Sequence, residues 1–108
     1  MARALDALLK KRLRAVLGGQ PVTEAELRRM FEDGQACLLL LNGELERIER
    51  ALAELASDPE CSISELAKAF RRISELRPDL DELHALLDAV ADRAREFRES
   101  WIRTAPAP

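Results

Sequence analysis

The stretch LRRMFEDGQACLLLLNGELERIERALAEL, residues 27–55, decides the fold. Leu27, Phe31, Gly34, Leu38, Leu41, Leu45, Ile48, Leu52 and Leu55 follow one another at alternating intervals of four and three. That alternation keeps one stripe of a helix facing one partner helix for about four heptads. A helix over 23–56 would be about 50 Å long at 1.5 Å per residue. Four consecutive leucines, Leu38 to Leu41, cannot share one side of it. Leu38 and Leu41 belong to the seam. Leu40 falls on its flank with Ala36 and Ala51, where a third helix can cover it. Leu39 falls nearly opposite, among Arg28, Glu32, Gln35, Asn42 and Glu46.

Working outward, three places share one start signal. In VTEAEL, Thr23 stands three residues before Glu26; in CSISEL, Ser62 stands before Glu65; in PDLDEL, Asp79 stands before Glu82. Each reads as a capping box, in which side chains satisfy amides that the first turn leaves unpaired. Gly18-Gly19 ends a first helix, SDPE at 57–60 ends the second, and Pro78 breaks or bends the third. The expectation is therefore all-α: a four-helix up-down bundle built on a long coiled-coil-like hairpin, with helices at 2–17, 23–56, 62–76 and 79–103. The last helix repeats the seam through Leu80, Leu83, Leu87, Val90, Ala94, Phe97 and Trp101, and the third offers Ile63, Leu66, Phe70 and Ile73. Residues 1–103 read as one helical domain and 104–108 as a disordered tail.

Composition narrows the function classes. A 47% hydrophobic and 34% charged chain of 108 residues buries a core without disulfides or metals and is not a disordered segment. No apolar run is long enough to span a bilayer. The two cysteines make no disulfide framework and suit a reducing cytoplasm. The net charge of −3 hides a basic start: residues 1–20 hold five bases and one acid, while 21–60 hold ten acids and four bases. An overall acidic chain is not a general nucleic-acid binder.

The residues that carry chemistry elsewhere have plainer readings here. His84, three residues after Asp81, is the only histidine; carboxylate-bundle metal sites use two Glu-x-x-His pairs, so no metal and no cofactor are expected. Cys61 precedes a helix start, which can lower a thiol pKa, but no histidine stands near it in sequence to act as a base. Cys37 reads as a small buried apolar residue. SISELAKAF, Ser62 to Phe70, resembles the first helix of a helix-turn-helix. The following RRISELRPDLDEL lacks the turn glycine, and the would-be recognition helix opens with Asp79, Asp81 and Glu82, which repel phosphate. Nothing points to a pocket of convergent polar groups, so no enzyme and no small-molecule substrate are expected.

What remains is contact through helix faces. We read a cytoplasmic, non-enzymatic protein–protein interaction module, of the adaptor, scaffold or small secretion or assembly chaperone kind. Its partner is another protein or a second copy of the chain. The candidate contact residues are Leu39 with Arg28, Glu32, Gln35 and Gly43, and the apolar face of the first helix with Leu5 and Leu9. That helix, ARALDALLKKRLRAVL, groups Leu5, Leu8, Leu9, Leu13 and Val16 on one face, with Arg3, Lys10 and Arg14 opposite. The alternative is a small regulator that touches nucleic acid or anionic membrane through this basic first helix. Gly34 and Gly43 suggest close backbone approach in the middle of the long helix.

Overall fold

The computed structural model describes residues 2–104, with side chains described from Asp6 to Ser100. Leu5 as a contact residue and Trp101 as a seam position lie outside the residues whose side chains are described; of the tail expected at 104–108, Thr104 ends the last helix and 105–108 lie outside the described residues. The first helix, α1 (Ala2–Leu17), stops at a Schellman turn: the Gln20 amide bonds to the Ala15 carbonyl at 3.0 Å and the Gly19 amide to Val16 at 3.1 Å. Gly19 takes φ +99°, a conformation that glycine adopts without a Cβ penalty. The second, α2 (Glu24–Ala56), starts where Thr23 Oγ1 accepts the Glu26 amide at 3.1 Å. It closes on Ser57, whose hydroxyl donates to the Ala53 carbonyl at 2.9 Å. Asp58 and Pro59 then turn the chain. The Asp58 carboxylate accepts the Glu60 amide at 2.9 Å, and its carbonyl accepts the Cys61 amide at 3.2 Å. Ser62 Oγ accepts the Glu65 amide at 3.2 Å and opens α3 (Ile63–Thr104).

Three helices form, not four. The expected third and fourth are one helix of 42 residues with Pro78 inside it. Asp79 caps nothing: it lies in the helix interior, and its carboxylate sits 3.6 Å from Lys10 Nζ. The reason lies in the packing. Leu76, Leu80 and Leu83 form one fully buried stripe that passes Pro78 on both sides, while Pro78 itself faces solvent. Ending the helix there would break the stripe, so burial overrides the penalty of about 3 kcal/mol for an interior proline. Pro78→Ala should therefore stabilise the chain by about 2 kcal/mol, once roughly 1 kcal/mol is subtracted for the stiffer unfolded chain that proline provides. Denaturant melts check this; a destabilised variant would mean that the helix needs its proline.

The three helices run up, down and up. Asp6 of α1 lies beside Cys37 of α2, with Sγ to Oδ1 at 3.9 Å, and Arg93 of α3 donates to the Leu17 carbonyl at 3.2 Å. So α1 is antiparallel to α2 and parallel to α3. At about 24 Å, α1 is only half the length of α2, at about 50 Å. The consequence shows in burial. Met30, Gly34, Cys37, Leu38 and Leu41 of α2 are buried, as are Leu76, Leu80, Leu83, Leu87 and Val90 of α3. Between Leu41 and Leu76 no residue is buried. Leu45, Ile48, Leu52, Leu55, Leu66 and Ile73, expected as core, are only half-buried there, and Ile63 and Phe70 are exposed. The molecule is a short three-helix bundle from which the end of the α2–α3 hairpin projects as a two-helix arm. Its extents are 74 × 21 × 18 Å and its radius of gyration is 19.3 Å, against about 13 Å for a rounded domain of this size.

The close approach expected at Gly34 is made by a side chain and not by a backbone: Gly34 admits Leu87, a methyl of which lies 2.6 Å from where a Cβ would be. Gly43 does not, since nothing stands within 4 Å of where its Cβ would be. Gly43→Ala should raise stability by up to about 1 kcal/mol in a denaturant melt of dilute protein. A loss would reveal a contact at that position.

Candidate interaction surface

The first helix packs by a different phase from the one its leucines suggest. Leu9 and Leu13 are buried, but Leu8 is exposed, and Asp6 and Lys10, each 4% exposed, are buried with them. Lys10 Nζ lies 3.0 Å from Asp6 Oδ2 and 3.4 Å from Glu82 Oε2, besides Asp79. Arg14 pairs with Glu82 as well. So Lys10 is not on a solvated basic face. Two acids of α3 hold α1 in this rotation and at this height along the hairpin, and the opposite charge that draws α1 inward comes from α3 and not from α2. Leu9, a candidate contact residue, is part of the core.

The rotation leaves Leu8 and Leu40 outside. Both line a shallow groove of about 260 Å³ between α1 and α2, so the third helix does not cover Leu40. A larger open groove, about 650 Å³, runs between α2 and α3 on the side away from α1. Its floor is Leu27, Phe31, Leu39, Ala91 and Ala94. Arg28, Glu32 and Gln35 stand along it, and the ion pair of Glu24 with Arg98 at 3.2 Å lies at its end. The structure thus brings four of the candidate residues, Leu39, Arg28, Glu32 and Gln35, into one place. It leaves Gly43 and Leu9 outside.

Leu39 is 74% exposed at the head of this groove. Further along the hairpin come Phe70, 58% exposed, and Ile63, 84% exposed. These two precede Ala91 and Arg98 of the groove by multiples of seven residues, so a gently supercoiled α3 carries all four on the same side. Arg77 shares that side and reaches across to Glu49 of α2 at 2.9 Å. Sequence reasoning placed Phe70 and Ile63 in an internal seam. The signal against this was available: a first helix of 16 residues cannot shield the far half of a partner twice as long.

The surface is apolar along its floor, with charges at its edge. Neither cysteine has an activated thiol: burial, and then the negative charge of Asp6, push the Cys37 thiol up, and Cys61 is raised by partial burial and by the carboxylates of Glu65 and Asp58. Among the described residues, no group of three or more histidine, cysteine or acidic side chains could hold a metal ion, and no helix is long and apolar enough to cross a membrane. Compared with known protein families, curated proteins and solved structures, the chain matches none.

Proposed function

We propose that the chain is a protein–protein interaction module, an adaptor or small assembly factor of the cytoplasm, which works by offering one side of its α2–α3 hairpin to an apolar helical surface. The observation that carries this is the row Leu39, Phe70 and Ile63, exposed on a side of the hairpin that α1 leaves bare. A stable soluble chain tolerates single exposed apolar residues; three on one side beside an apolar groove mark a site where another helix can dock. Contact with nucleic acid or anionic lipid through α1 has less to work with, because Lys10 is buried and Arg14 is already paired.

The test is association measured on tagged full-length chain at two salt concentrations, beside Leu39→Asp. Apolar docking should persist between about 50 and about 200 mM salt, where binding through many phosphate contacts falls by orders of magnitude. It should weaken in Leu39→Asp. Binding that collapses with salt and ignores Leu39→Asp would overturn the reading.

A further inference from the structure

We infer that the surface just described is self-complementary, and that its occupant is a second copy of this chain, packed face to face and antiparallel about a two-fold axis beside Leu39. The inference rests on the proposed reading of that surface as a docking site and names its partner. A two-fold interface requires that what projects from one copy fits what is hollow on the same face of the other. This face has both: Phe70 projects from the arm, and the groove floored by Ala91, Ala94 and Phe31 lies toward the other end.

Their positions agree on one axis. Phe70 and Ala94 exchange places under a rotation about the level of Glu82. Gly34 packs on Leu87 in the antiparallel hairpin, so Leu39 is level with Glu82 too. One axis therefore sets Phe70 of each copy into the groove of the other and brings the two Leu39 side chains together at the centre.

The charges on this side follow the same register. Arg77 comes level with Asp88 of the second copy and Asp81 with His84, each pair twice; all four side chains are exposed. On α2, Gln35 meets Asn42 and Arg28 meets Glu49, while Glu32 against Glu46 is the like-charged exception. The opposite side of the hairpin cannot do this over the same length, because α1 occupies half of it. The overlap from Phe70 to Ala94 is roughly 36 Å long and two helices, about 20 Å, wide, so each copy covers roughly 700 Å². Stable specific interfaces cover roughly 800 Å² per partner.

Sedimentation equilibrium of the full chain at tens of micromolar tests this, with four variants at exposed positions that the isolated chain tolerates. The wild type should sediment at twice 12.1 kDa. Phe70→Asp should weaken the dimer at least about tenfold. Leu40→Asp, on the α1 side, should leave it unchanged. Arg77→Asp should weaken it, and Arg77→Asp combined with Asp88→Arg should restore it. Circular dichroism confirms that each variant is folded. A dimer indifferent to Phe70→Asp, or lost in Leu40→Asp, overturns the assigned face. A wild-type monomer overturns the second copy. If that monomer still binds another protein through Leu39, the interaction reading stands without the dimer; if it binds nothing, both fall.

Discussion

Replacing Lys10 with methionine should destabilise the chain by about 3–5 kcal/mol, the cost of leaving one member of a buried ion pair without its partner. Methionine keeps most of the apolar stem, so the loss reports the charge. Asp6 would remain buried beside Cys37 and Leu9 without the cation that pairs with it among the described residues, and Asp79 and Glu82 would lose the contact that fixes the height of α1. Asp6→Leu combined with Lys10→Met should recover most of the loss, because a buried pair exchanged for apolar groups of similar volume is often neutral or stabilising. Urea melts of the three proteins decide it. A single variant within about 1 kcal/mol of wild type would mean that Lys10 reaches water in solution and that α1 is held by its leucines alone.

Leu83→Ala should cost about 2–5 kcal/mol, while Leu52→Ala, tested in dilute protein, should cost about 1 kcal/mol. Both residues occupy seam positions of the same hairpin. Leu83 is fully buried where three helices meet; Leu52 is half-buried in the arm, where there are only two. A truncation in the bundle leaves a cavity, whereas one in the arm removes surface that already touches water. Equal losses would mean that the far half of the hairpin is covered.

What could be read from the sequence was what depends on neighbours in the chain. Thr23 and Ser62 cap their helices as their spacing to Glu26 and Glu65 predicts. Gly18-Gly19 and Asp58-Pro59 turn the chain where expected. Asp79 and Glu82 show the same local pattern, and it failed: the decision to continue through Pro78 belongs to Leu76, Leu80 and Leu83, whose burial against α2 cannot be seen locally. The rotation of α1 was hidden for a similar reason. Amphipathicity favours burying Leu8, but the acids that draw Lys10 inward lie about 70 residues further along the chain. Of the candidate surface, Leu39 was legible because it interrupts a polar face. Phe70 and Ile63 were not, since periodicity shows which side of a helix is apolar and says nothing about whether a partner is there to cover it.

The division of one hairpin into a covered half and an open half that a second copy closes is tested most directly by native-state hydrogen exchange at two protein concentrations. At low micromolar concentration, amides from Leu45 to Leu55 and from Leu66 to Ile73 should exchange far faster than those of Leu41, Leu83 and Leu87. At a hundredfold higher concentration, protection should rise in the arm and along Leu39, while Leu8 and Leu40 gain none beyond the bundle's own. Arm amides as protected as the bundle in dilute solution, or protection that ignores concentration, would contradict it.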